Sequence, residues 1–192
     1  MREFVRELFE TVLLALIIYL VLQFSVQPYR VEGHSMVPTF QEGEYLLVNK
    51  MVYWHVTEPA VTKALPFLDE QRDSPVWPGH PPHRGEVIIF RFPLDPSRNF
   101  VKRVIGEPGD VIEIRRGIVY LNGQELDEPY LQDRDEGFMR PVTVQTNSYF
   151  VLGDNRRASD DSRNWGLVPR DNIVGRSWLS YWPAHNLWEL LH

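Results

Sequence analysis

Residues 8–26 read LFETVLLALIIYLVLQFSV, and only Glu10 and Gln23 among them are strongly polar. A helix of that length is about 28 Å long at about 1.5 Å per residue, against a bilayer hydrocarbon core of about 30 Å. No later stretch of the chain is as apolar over such a length. A helix packed on a soluble core shows a polar face, and residues 13–22 show almost none. A cleaved secretory leader is followed by small residues at its cleavage site, and Gln23-Phe24-Ser25-Val26-Gln27 has no small-x-small pattern. The run is therefore expected to be a retained membrane anchor, ended by Pro28. Arg2 and Arg6 precede it and only Arg30 follows closely. That bias favours a cytoplasmic N-terminus in the plasma membrane. Residues 1–28 are then the N-terminus and anchor, and residues 29–192 one extracytoplasmic domain.

Beyond the anchor, fifteen prolines and twelve glycines among many β-branched and aromatic residues point to strands and turns. Strands are expected at residues 44–48 (EYLLV), 86–92 (EVIIFRF), 100–105 (FVKRVI), 111–115 (VIEIR), 118–121 (IVYL) and 148–152 (SYFVL). Asn122-Gly123 predicts a tight hairpin after the fifth. Residues 58–84 hold six prolines and read as an irregular surface excursion. His80 and His83 fall inside it, with Pro81-Pro82 forbidding the helix that a metal pair at this spacing needs, so they are expected to be solvated loop residues. The aromatic C-terminus, residues 177–183 and 188–191, suits either a core or a membrane interface. The absence of cysteine removes disulfides, thiol catalysis and thiolate metal sites. A net charge of −6 with no basic block excludes a nucleic-acid partner.

Three segments carry possible chemistry. In Gly33-His34-Ser35-Met36-Val37-Pro38-Thr39, Ser35 needs a base to be a nucleophile. His34 is badly placed for that, because adjacent side chains of an extended chain point to opposite faces. Nor is the segment a Gly-x-Ser-x-Gly elbow, since Val37 stands at the last glycine. Lys102 lies mid-strand and shares a face with Phe100 and Val104. Such a lysine either snorkels to water or is buried, and burial lowers its pKa toward a neutral amine able to act as a base. The third segment, residues 153–166 (GDNRRASDDSRNWG), is either a polar surface loop or a network of carboxylates and arginines that fixes a loop.

Taken in order and with the preceding apolar run, these segments resemble the bacterial type I signal peptidases, serine/lysine enzymes that remove signal peptides from exported proteins. The nucleophile motif is matched by residues 33–40, the lysine motif by Val101-Lys102-Arg103-Val104-Ile105-Gly106-Glu107-Pro108-Gly109-Asp110, and the third signature by residues 153–166. Residues 84–88 (RGEVI) resemble the strand motif between the first two. The resemblance implies a β-rich, mostly antiparallel catalytic domain after a single transmembrane helix. It implies Ser35 as nucleophile and Lys102 as general base. Ser159 would orient the lysine amine, with Asp154, Asp161 and Arg163 in one salt-bridge network beneath the site. Substrates would be preproteins held in the lipid bilayer and cut after small-x-small sites, with no metal or cofactor. Tyr29, Val31, Met36, Phe40, Phe100 and Val101 are the expected pocket residues. Some members carry a serine where Gly33 stands, which leaves the oxyanion to backbone N–H groups. Two other classes are weaker fits. A membrane-anchored β-domain that only binds an extracellular partner gives no reason for Ser35, Lys102 and residues 159–163 to occur together. A self-cleaving repressor, which also uses serine and lysine, would want a DNA-binding domain where this chain has its apolar run.

Overall fold

The computed structural model describes residues 2–53 and 79–182. Its first element is helix α1, Arg2–Ser25. Leu13, Leu14, Ile17, Ile18 and Leu20 all point outward, 41–58% exposed. Among the described residues, which exclude the side chains of Val21, Leu22 and Phe24, no helix is long and apolar enough to cross a membrane. The helix ends at Ser25, three residues earlier than Pro28 suggests. The chain is already extended at Val26, and Pro28 lies inside a strand opposite Leu47. That strand is at a sheet edge, where proline's missing N–H removes no ladder bond.

Eleven strands follow among the described residues. They are β1 Val26–Arg30, β2 Tyr45–Asn49, β3 Val87–Phe92, β4 Asp95–Gly106, β5 Val111–Arg115, β6 Ile118–Leu121, β7 Gln124–Glu125, β8 Met139–Thr143, β9 Ser148–Leu152, β10 Val168–Pro169 and β11 Ile173–Trp182. A seven-stranded sheet has the order β1-β2-β11-β3-β4-β9-β10, and a four-stranded sheet the order β7-β6-β5-β8. Every pairing in both is antiparallel. The mainly β, mostly antiparallel architecture is thus as expected. The Asn122-Gly123 turn takes φ of 51° and 84°, the left-handed pair that suits a two-residue hairpin between β6 and β7.

Strand β4 organises the interior. Alternation sends Val104 and Ile105 to opposite faces. Val104 packs with Ile88, Phe90, Tyr149 and Val151, whereas Ile105 packs with Ile112, Ile114, Val119, Phe150 and Leu152 and so ties the two sheets together. A third cluster, Val31, Leu46, Val48 and Ile89, underlies β1 and β2.

Trp178 and Trp182 on β11 are 69% and 57% exposed, so neither belongs to the core. Residues 188–191, like most of the proline-rich excursion, lie outside the described residues. His80 and His83 are at its end, and their rings stack at 5.1 Å. Each also faces a carboxylate, His80 toward Glu86 at 4.0 Å and His83 toward Glu107 at 3.7 Å, so they are less free than loop histidines in solvent.

One ion pair is fully enclosed. Arg156 and Glu128 are 2% and 1% exposed, joined by Arg156 Nη1 donating to Glu128 Oε2 at 3.1 Å and by a second contact from Nη2. Removing one partner strands the other charge, so Glu128→Ala is expected to cost about 3–5 kcal/mol. The denaturant midpoint measures it; a midpoint within error of wild type would show that the pair adds nothing.

Candidate active site

Ser35 lies in a turn over residues 33–40 that leaves the first sheet after β1. Gly33 enters it with φ of +78°, a conformation that costs a side-chain-bearing residue. Glycine at this position follows from backbone shape. Phe40 N–H closes the turn onto Met36 O at 2.9 Å. Met36 is wholly buried. It pins the turn from below and is not a pocket residue, contrary to the sequence expectation. Phe40 is half-buried against the Val31–Leu46–Val48–Ile89 cluster and does not line the cleft either.

Lys102 arrives on β4, paired with Ile88 on β3. It is buried. Its Nζ donates to Ser35 Oγ at 2.8 Å and to Val101 O at 3.1 Å, and lies 5.4 Å from the centre of the Phe100 ring. No carboxylate lies within ion-pair distance of it among the described residues. Burial therefore dominates and pushes its pKa down to about 8, against the upward pull of Asp161, Asp160 and Asp154. The guanidinium that adds to the lowering is that of Arg163. The adjacent Arg103 points to the opposite face, where Asp154 takes it up.

Residues 153–166 press against this pair. A side chain at Gly153 would begin 2.2 Å from Ser159 Oγ and 2.5 Å from Ser35 O. Asn155 N–H then donates to Ser35 O at 3.0 Å. The loop thereby fixes the carbonyl of the serine itself. Gly153→Ala is expected to push the turn away and lower kcat/KM on a peptide substrate about 100-fold. A wild-type rate would show that this contact does not hold the turn.

The three supporting charges form two networks rather than one. Arg163 grips Asp161 through Nε at 2.7 Å and Nη2 at 2.8 Å, and reaches Asp135 at 2.5 Å. Asp161 also accepts from Gly153 N–H at 3.1 Å and from Arg163 N–H, which caps the short helix α2, Ser162–Trp165. Asp154 belongs elsewhere. It takes Arg103 in a fork of 2.8 and 2.6 Å and accepts from the Thr39 hydroxyl of the serine turn. Ser159 departs from expectation as well. Its Oγ is buried, and no hydrogen-bond partner for it is present among the described residues. The lysine amine has turned instead to Ser35 Oγ and Val101 O.

A cleft of about 600 Å³ opens over Ser35 and Lys102. Tyr29, Val31, Phe100 and Val101 line it, and so do Leu46 and Ile89, which the sequence reading did not single out. Both are buried strand residues whose role depends on which strands pair. Thr39 and Arg103 were missed as supports. A charge beside Lys102 on the apolar second half of the strand is a signal that Arg103 needs a carboxylate; Thr39 gives none.

Residues 2–182 match the family described as signal peptidase, peptidase S26. The chain belongs to this family. It is a serine peptidase, a hydrolase of the signal peptidase I type that acts on signal-peptide-bearing preproteins. A probable signal peptidase I-1 of Synechocystis is 32% identical over 98% of the chain and 88% of its own length. The signal peptidase I of Leptolyngbya laminosa is 35% identical over 87% and 74%. That of Bacillus amyloliquefaciens is 35% identical over 88% and 80%. A crystal structure of a signal peptidase I from Enterococcus faecalis overlaps 52% of this chain and 98% of its own at 34% identity, with a TM-score of 0.46, too low to support an argument from shape.

Proposed function

We propose that this signal peptidase cuts with Ser35 as nucleophile and Lys102 as general base, after small-x-small sites in preproteins held at the membrane. The single observation behind this reading is the 2.8 Å contact between a buried amine and a serine hydroxyl, with no carboxylate paired to the amine. A lysine in water, with a pKa near 10.4, is almost wholly protonated at neutral pH. With its pKa pushed down to about 8, a useful fraction of Lys102 is neutral and can take the Ser35 proton.

Ser35 Oγ then attacks the scissile carbonyl. The Ser35 N–H has no backbone partner among the described residues, and it is the donor proposed for the oxyanion, with Gly33 contributing backbone shape only. The lysine ammonium returns the proton to the leaving amine, and an acyl-enzyme remains. The neutral amine next activates water, whose attack frees Ser35. Asp161–Arg163 and Asp154–Arg103 act as positioning pairs that hold residues 153–166 and the serine turn together.

Substrate placement follows from the sheet. Strand β9 pairs with β4 only at Arg103, Val104 and Gly106. The β4 edge before Arg103 is uncovered by β9, and an extended peptide can add to it. Tyr29, Val31, Leu46, Ile89 and Val101 leave an apolar, shallow floor suited to small side chains. Identifying the cleaved bond in a model preprotein tests the reading. A cut anywhere other than after a small-x-small site would reject it.

The same proposal assigns α1 as the membrane anchor. Its exposed leucines and isoleucines, in a run about as long as a bilayer core is thick, support that role. With the N-terminus cytoplasmic, protease added outside intact cells, once any outer barrier is permeabilised, is expected to digest the chain beyond residue 29. Digestion only after lysis would reverse the orientation.

A further inference from the structure

Strand β4 runs past the catalytic pair for several residues, and its first part, Asp95–Asn99, is exposed. Ser97, Arg98 and Asn99 line the cleft beyond Phe100. The register against β3 breaks between Asp95 and Asn99, and it is the contact with the Phe100 ring that places Arg98 on the face of Phe100 and Lys102. Its guanidinium lies over two aromatic rings, 5.1 Å from the centre of Phe100 and 5.9 Å from that of Phe92. Those two rings are themselves stacked at 4.6 Å and 15°. The aromatic pair gives the planar cation a fixed seat.

The fork of this arginine donates no side-chain hydrogen bond among the described residues, although its charge acts on Asp95. Nor does Arg98 enter an ion pair among them. Asp95, the nearest acid in sequence, is taken up by Ser97 through its N–H at 3.2 Å and its hydroxyl at 2.6 Å. Of the acids lining the cleft, Asp160 accepts from Asn164, and Glu32 is not bonded to Arg98. A pre-seated guanidinium with free donors at the side of a peptide groove matches the geometry of a carboxylate.

We infer that Arg98 determines specificity by receiving an acidic side chain of the preprotein, three to five residues from the scissile bond. The spacing comes from the strand. Arg98 precedes Lys102 by four positions, at most about 13 Å at roughly 3.3 Å per residue, since the regular ladder begins only at Asn99. A peptide lying extended along β4 with its reacting carbonyl at Ser35 brings a residue of that distance to the guanidinium. The inference rests on the peptidase reading given above and adds a charge preference to a site otherwise selective for size.

The test uses the full-length enzyme in detergent and peptides with a small-x-small site. Each peptide carries a single Glu or Lys, scanned over five positions on either side of the cut, leaving the two small positions alone. The readout is the ratio of kcat/KM for Glu over Lys at each position, which does not depend on the absolute rate of a variant. For the wild type one position three to five residues from the cut is expected to give a ratio of about ten. Arg98→Gln brings that ratio to about one, and Arg98→Glu inverts it. A ratio unchanged in both variants, or no charge preference in the wild type, overturns the assignment of Arg98. Failure of the wild-type enzyme to cleave any of the peptides would instead reject the peptidase reading, and this inference with it.

Discussion

Ser35→Ala is expected to leave a folded protein whose cleavage of a preprotein or peptide falls by at least about 10⁴-fold. The prediction is this strong because no other described hydroxyl shares the lysine amine: Nζ donates to Ser35 Oγ and to a backbone carbonyl alone. The turn does not depend on the hydroxyl for its shape. Its closure is backbone to backbone, through Phe40 to Met36 and Asn155 to Ser35 O. Circular dichroism and the denaturant midpoint are therefore expected to stay near wild type while turnover disappears. Substantial processing by the alanine variant would remove Ser35 from the chemistry.

Lys102 is expected to separate activity from stability. Lys102→Arg should be almost as damaging as Lys102→Ala, because guanidinium keeps the charge and cannot be deprotonated in a protein. Lys102→Met should also abolish cleavage, yet stabilise the fold. The amine titrates at about 8 in the folded chain and near 10.4 when unfolded. Between those values the unfolded chain holds more protons, so the native enzyme gains stability as pH rises through the window. Below about 8 both states carry the charge, and its burial opposes folding by about 3 kcal/mol. Methionine keeps most of the length and removes that charge, so a gain of up to that size is expected at pH 7. Activity follows the same proton. The ratio kcat/KM should climb with pH and level off above about 8, with about a tenth of the plateau at pH 7. An active arginine variant, or a rate that falls from acid to neutral pH, would take Lys102 out of the role of base.

Much of the frame was legible in the chain because its signals are local. The alternating runs at residues 111–115, 118–121 and 148–152 became strands with those same limits, and Asn122-Gly123 became the expected turn. Strand β1 was obscured by Pro28, which reads as a stop until the neighbouring strand shows that the residue lies at an edge. Strand β11 was hidden for another reason. Its register with β2 slips twice, between Ser177 and Leu179 and between Ser180 and Trp182, so its inward residues do not recur every second position. Ser35 and Lys102 were paired only through the family resemblance, since nothing local joins residues so far apart. The partners of the supporting charges were beyond reach for a related reason. Arg103 and Asp154 are brought together by the pairing of β4 with β9, and the three carboxylates of residues 153–166 do not announce which of them Arg103 will meet.

The order of strands in the larger sheet also bears on when this protease can become active. Strands β1 and β2 flank the serine turn, and β4, paired with β3, carries the lysine. In the sheet these pairs are not neighbours: β11 stands between β2 and β3. Its residues, Ile173–Trp182, follow every other described strand in the chain. Within the sheet, the half that bears Ser35 is thus joined to the half that bears Lys102 by a segment that follows both in the chain. Without it the two halves are joined by the loop contacts of residues 153–166 and by the packing of Val31 and Leu46 on Ile89, but by no continuous ladder. The Ser35–Lys102 contact is therefore expected to be set only once Ile173–Trp182 has paired with β2 on one side and β3 on the other.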